Sequence, residues 1–140
     1  MNAFWWSLVA AGIWGVVPLI EKLGLAGTVA PTTGVLARSL GVMIGMTVWC
    51  VAGSTWKTLG TISLRSFALL ALGGFLASVV AQMAFYRALK TGHISYVTPI
   101  AGAYPLVAAL LGWLVLQEPL SAARLCGIVL IVLGVWCLGR

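Results

Sequence analysis

A slanting stripe of small and polar residues in the third apolar stretch offers the clearest chemistry in this sequence. Gly74, Ser78, Gln82 and Tyr86 recur at steps of four, and Arg87 follows directly. Residues four apart share nearly one face of a helix, so these groups are placed to hydrogen-bond a polar solute within a membrane. The alternative is hydrogen bonding between helices, worth about 1 kcal/mol or less per contact. Gln82 and Tyr86 are therefore candidate solute contacts.

A second candidate face lies in the first apolar stretch. Trp14, Pro18 and Glu21 are spaced i, i+4, i+7 and so share one side of a helix. Proline frees a backbone carbonyl and bends the helix, which is tolerated where neighbours or a cavity satisfy the backbone. The pattern predicts either the wall of a cavity or a packed kink.

A thin face follows in the fourth apolar stretch, where small residues and a proline fall on one side and Tyr104 borders the proline. These residues are Thr98, Gly102, Pro105, Ala109 and Gly112. Such a face permits close helix approach or leaves an open cavity. Bent or interrupted helices near the midplane commonly hold the substrates of transporters, so Tyr104 and Pro105 are candidate site residues.

The acids and cysteines limit the chemistry further. Glu21 and Glu118 are the only acids, and both fall near the ends of apolar stretches. Membrane-embedded acids commonly act as proton relays and cation counter-ions, so exchange driven by a central carboxylate is disfavoured. Cys50, Cys126 and Cys137 show no CxxC spacing and are expected to pack in the apolar spans. We expect no enzyme activity, no cofactor and no metal.

Composition identifies the elements that must position these residues. Apolar residues make up 62% of the 140 residues and charged ones 7%, against about 25% charged in soluble domains. A spanning helix needs roughly 20 mostly apolar residues, and strand-like alternation is absent. The sequence predicts an all-α bundle of five transmembrane helices in the cell (inner) membrane. The expected spans are residues 4–22, 32–53, 65–89, 94–116 and 122–139, in a single domain over 1–140.

Arg38 has an unusual place in this scheme. The mostly apolar, uncharged run after it covers only Ser39 to Gly53, fifteen residues, which is short for a span. Arg38 must therefore lie inside the second helix or at its edge.

Charge gives a weak indication of orientation. With five spans the termini lie on opposite sides, and the basic residues divide three against five. On the side of the N-terminus they are Lys57, Arg65 and Arg124, and on the other side Lys22, Arg38, Arg87, Lys90 and Arg140. Without Arg38 and Arg87 the division is three against three, so insertion in both orientations and a fixed orientation both remain open. Because these residues are scattered at helix ends, we expect headgroup contact and no nucleic-acid partner.

Glycine spacing predicts surfaces for association. Gly41 and Gly45 form a GxxxG pattern, a frequent packing motif. Gly127 and Gly134 lie two turns apart on an otherwise Val/Leu/Ile-rich helix, which leaves a smooth groove for another helix. We expect a dimer contact at Gly127 and Gly134, in a homodimer or with a paralogous half-size partner.

Three stretches together resemble the EamA-type branch of the drug/metabolite transporter superfamily. They are Trp14-Gly15 followed by Pro18 and Lys22, then AFYRALKTGHISYVTPI (84–100), then PLVAALLGWLVLQEPLSAARLCGIVLIVLGV (105–135). Members usually hold two five-helix units, and this sequence is similar to a single unit. The run GIVLIVLGV is also similar to the last-helix dimer motif of small multidrug resistance proteins. Those proteins carry an essential acid in the first helix, where Trp14 stands here.

The resemblance implies a secondary carrier of small metabolites that works as a dimer, antiparallel if the copies insert both ways, by alternating access. We expect the substrate cavity to be lined by aromatic, amide and proline side chains, with two arginines near one mouth to attract an anionic or zwitterionic substrate. These residues are Trp14, Pro18, Gln82, Tyr86, Tyr104, Pro105, Arg38 and Arg87. The alternatives are a non-transporting membrane subunit or scaffold, and a flippase subunit for a lipid-linked substrate.

Overall fold

The computed structural model describes residues 3–53, 56–119 and 121–139, and every regular element within these ranges is helical. The predicted all-α class is therefore confirmed. The packing divides the chain into two compact units, with the boundary between Thr91 and Gly92. Arg140, counted above among the basic residues, lies outside the described residues. The single five-helix domain stays a prediction.

The first unit contains two long helices, a short one, and a third span assembled from three consecutive segments. They are α1 (Ala3–Gly24), α2 (Pro31–Gly53), α3 (Trp56–Leu59), α4 (Leu64–Phe75), a π-helical segment (Leu76–Ala81) and α5 (Gln82–Thr91). The last three run on without interruption from Leu64 to Thr91, 28 residues.

Local sequence explains several of these boundaries. Gly27, in the connection after α1, has a φ of +70°, a conformation that glycine adopts without steric cost. Pro31 opens α2, where its missing N–H costs no intrahelical bond. Ser63 caps α4, because its hydroxyl accepts a hydrogen bond from the Ser66 N–H at 3.1 Å.

The second unit contains α6 (Ile94–Ala101), α7 (Tyr104–Leu116) and α8 (Ala122–Leu138). A turn at Gly102 and Ala103 separates α6 from α7, and Pro105 stands in the first turn of α7. α7 ends at Leu116, and the C-cap residue Gln117 has a left-handed φ of 56°. Ser121 then caps α8 by accepting a hydrogen bond from the Arg124 N–H at 3.3 Å.

Helix length and exposure fit a lipid environment. Among the described residues four stretches are long and apolar enough to cross a membrane, and α8 is a shorter apolar helix. Its 17 residues rise about 25 Å at 1.5 Å each, at the lower end of the spanning range. Large apolar side chains are exposed along all the long helices, as expected where lipid tails replace water. The chain is a multi-pass membrane protein.

Packing concentrates the core of the first unit at one end of its helices. α5 packs against both α1 and α2, and the buried apolar side chains there include Leu25, Val35 and Leu89. In the second unit α8 packs against α6 and α7, and Val97 is buried. The end of the first unit that holds this core also holds the side-chain hydrogen bonds and the ion pair that join its helices.

Candidate functional site

The carboxylate of Glu21 contacts three donor groups that come from two other helices. Its Oε1 atom accepts hydrogen bonds from Gln82 Nε2 and from the Tyr86 hydroxyl, both at 2.9 Å. The same oxygen lies 3.3 Å from Arg38 Nε in an ion pair. The Glu21 side chain is only 10% exposed and that of Arg38 is 32% exposed. We call these four residues the Glu21 cluster, and it joins α1, α2 and α5.

Two local features bring α5 to this position. The π-helical segment ends at Ala81, directly before Gln82, and π-helical turns are frequent at functional sites. Gln82 and Tyr86 are four residues apart on α5, so their polar groups lie on one face and reach the same oxygen.

Gly34 lets α2 approach this face closely. A Cβ atom at Gly34 would lie 3.0 Å from two ring carbons of Tyr86 and 2.7 Å from Leu25 Cδ2. Both neighbours are buried. Only a glycine fits between them without displacing the Tyr86 ring that donates to Glu21.

The Glu21 cluster lies inside the helices and not in a connecting loop. Glu21 is three residues before the end of α1, Arg38 is seven after the start of α2, and Gln82 is nine before the end of α5. At about 1.5 Å per residue these positions are about 4, 10 and 13 Å from the helix ends. Charged groups at such depth are normally paired and mark solute paths. The Glu21–Arg38 pair satisfies the first condition.

One donor of Arg38 remains unsatisfied. Its Nη1 atom is buried and has no hydrogen-bond partner among the described residues. A guanidinium offers five N–H donors in a planar fork that matches a carboxylate or phosphate. The cluster therefore combines a carboxylate oxygen that has three donors with a guanidinium that has one unused donor.

Two lysines form hydrogen bonds between the C-terminal end of α5 and the end of α1 with its following turn. Lys22 Nζ donates to the Leu89 carbonyl, and Lys90 Nζ donates to the Gly27 carbonyl at 3.4 Å. The four residues line a cavity of about 340 Å³. Lys22 thus joins the last turn of α1 to the last turn of α5, and Lys90 joins the last turn of α5 to the connection after α1.

The second unit holds a separate polar feature at its helix break. The Gly102 N–H donates to the Thr98 carbonyl at 2.7 Å, and the Ala103 N–H donates to the Ile100 carbonyl at 3.1 Å. Thr98 Oγ1 is buried and has no partner among the described residues. A groove of about 370 Å³ in the same unit is lined by Pro105, Glu118, Arg124 and Gly127, among others.

The structure brings together only some of the residues expected at the site. Arg38, Gln82 and Tyr86 join in the Glu21 cluster, and Pro18 is buried in the same unit. Trp14, on the same helix as Glu21, is 61% exposed, and Arg87 is also exposed.

The remaining expected residues lie in the second unit. Tyr104 is 56% exposed and Pro105 lines the groove described above. A cavity shared by residues of both units stays a prediction. Gly127 and Gly134 are open, since a Cβ atom at either would meet nothing within 4 Å, and their dimer contact likewise stays a prediction.

Glu21 and Gly34 are missing from the expected site residues. The spacing of Trp14, Pro18 and Glu21 placed the acid on a candidate face, but its position near a helix end is more typical of a solvated side chain. Its three donors come from elements distant in sequence, which periodicity within one helix cannot reveal. Nothing in the sequence distinguishes Gly34 as a close-packing position from the other glycines of a chain that has 17.

Comparison with known proteins adds a family and a relative. A family model described as the EamA-like transporter family matches residues 1–140. A Sinorhizobium protein named as an uncharacterized transporter in the cobO 3′ region is 27% identical over 136 residues. The match covers 96% of this chain and 95% of that protein. No solved structure matches the chain significantly.

Proposed function

Because the chain belongs to the EamA-like transporter family, we propose that this membrane transporter is a secondary carrier of a small metabolite across the cell (inner) membrane. The observation that carries the proposal is the family match along the whole of residues 1–140. The Glu21 cluster supports it, because partly buried polar and charged groups inside spanning helices typically serve solute passage. Members of this family are transporters and not enzymes, which fits the absence of a recognisable catalytic motif from the sequence.

The proposed working form is a dimer that operates by alternating access. Many transporters consist of two repeats in inverted orientation, with the substrate site between them. The relative is matched over 95% of its own length, so it also corresponds to one such unit. Gly127 and Gly134 leave open space on α8, and small residues allow close approach of helices in membranes. We place the contact between the two copies there.

Transport is tested with purified protein in proteoliposomes. A mixture of small metabolites is offered with and without a proton or sodium gradient, and uptake is compared with protein-free vesicles and with the Arg38→Met/Glu21→Gln variant. We expect at least one solute to accumulate in the wild type only. If the folded wild type moves no solute under any gradient, the carrier proposal is wrong and a role as a non-transporting subunit or lipid flippase subunit becomes the better explanation.

The dimer is tested by cysteine cross-linking in a background without native cysteines. We expect Gly134→Cys to give a covalent dimer in membranes, because position 134 lies on the open face of α8. Val132→Cys is the matched control, since two residues of helix turn it about 200° away. Equal yields from the two positions would contradict the proposed contact. Reporters fused to the C-terminus then show whether copies insert in one orientation or both.

A further inference from the structure

The unsatisfied donor of Arg38 points to the kind of solute that this site recognises. The buried Nη1 atom has no partner among the described residues, and a buried donor without a partner is energetically costly. A third of the Arg38 side chain is nevertheless exposed. Arg38 is therefore under-satisfied at the buried Nη1 atom and exposed over another part of its side chain.

The other member of the ion pair has no such deficit. Glu21 Oε1 already accepts hydrogen bonds from Gln82 Nε2 and the Tyr86 hydroxyl. It also forms the ion pair with Arg38 Nε. A cation entering the site would find Oε1 occupied by these three donors, on a carboxylate that is only 10% exposed and already paired with a guanidinium. An anion meets less competition, because Arg38 engages Glu21 through Nε while Nη1 has no partner among the described residues. The arrangement favours an anionic group over a cationic one.

We propose that Arg38 binds a carboxylate of the transported solute through its Nη atoms, while Glu21 holds the guanidinium in place through Nε. Glu21 is then a positioning residue that also weakens anion binding by its own charge. Gln82 and Tyr86 fix Glu21 in turn, so that Arg38 alone contacts the solute anion. This inference rests on the proposed carrier function and assigns the solute class to the same site.

The two roles of Glu21 predict opposite effects for two substitutions. Glu21→Gln keeps an oxygen that can accept from Arg38 Nε but removes the negative charge that lies 3.3 Å from that atom, so carboxylate binding should tighten about tenfold. Arg38→Met should abolish it. Because Arg38→Met alone leaves Glu21 charged and unpaired, which destabilises a buried site, the double variant Arg38→Met/Glu21→Gln removes both charges and keeps the test valid if the single variant fails to fold.

Binding is measured directly, without transport, by the thermal stability of the purified full-length protein in detergent. Sodium acetate and sodium lactate are titrated at constant ionic strength against sodium chloride, with choline chloride as the cation probe. We expect both carboxylates to raise the melting temperature saturably, choline to have no effect, and Arg65→Met, an exposed arginine on α4, to behave as the wild type. The double variant should show no saturable shift.

The inference is overturned if carboxylates stabilise the protein no more than chloride, if the double variant keeps the wild-type half-saturating concentration, or if choline alone binds. Carboxylate binding that depends on Arg38 supports it even where vesicles show no uptake, a result that would count against the carrier function instead. Uptake that is indifferent to Arg38 and to competing carboxylates would sustain the carrier function and refute the assignment of the solute.

Discussion

The tight fit around Gly34 makes the substitution Gly34→Ala a quantitative test of how α2 and α5 pack. The new Cβ would lie 3.0 Å from two carbons of the Tyr86 ring and 2.7 Å from Leu25 Cδ2. Leu25 can turn its flexible end away at small cost, but the Tyr86 ring is buried and its hydroxyl is bound to Glu21. Overpacking of this kind costs about 1–3 kcal/mol. Replacing glycine by alanine in a helix stabilises it by about 0.5–1 kcal/mol, so we expect a net loss of up to about 2.5 kcal/mol.

The matched control lies in the same helix. A Cβ at Gly41 would meet no heavy atom within 4 Å, so Gly41→Ala should gain up to about 1 kcal/mol from helix propensity alone. Both free energies of unfolding are measured by titrating the protein from mild detergent into SDS micelles and following helicity by circular dichroism, with the oligomeric state checked in parallel. If Gly34→Ala proves as stable as Gly41→Ala, α2 and α5 do not approach as described and the reasoning fails.

Three further outcomes follow from single contacts, and the same unfolding titration checks each. Tyr86→Phe should lose about 1–2 kcal/mol, since it removes a hydrogen bond to a carboxylate; no loss would show that the hydroxyl does not bind Glu21. Gln117→Gly should gain up to about 1 kcal/mol, because φ is 56° there and left-handed backbone suits glycine; a loss would show that the side chain matters more. Ser121→Ala should lose about 0.5–1 kcal/mol with the cap to the Arg124 N–H; Ser121→Asp, which keeps an acceptor, should restore most of it.

Periodicity and composition predict much of this fold, because in lipid the backbone leaves few choices. Long apolar stretches must be helical, and the short uncharged run after Arg38 predicts that this residue lies within its helix, as it does in α2. The step of four between Gln82 and Tyr86 predicts a shared face, and both donate to one oxygen.

The rest depends on contacts between helices, which no single-helix pattern encodes. Glu21 stands near a helix end, where acids are usually hydrated, and only the arrival of α2 and α5 turns it into the centre of a cluster. The close approach at Gly34 likewise depends on which side chain stands opposite. Trp14 shows the converse, since its bulk suggested a cavity wall and its side chain is largely exposed within the first unit.

The π-helical segment from Leu76 to Ala81 shifts the helical phase of the side chains between the first and last parts of the third span. A π-helical turn accommodates one more residue than an α-helical turn, so side chains before and after it are out of phase with any single helical wheel. If the same residues were wound as a uniform α-helix, Gln82 and Tyr86 would be rotated by about 100° relative to α4. The orientation of the polar face therefore depends on how an apolar stretch is wound and not on the polar residues themselves.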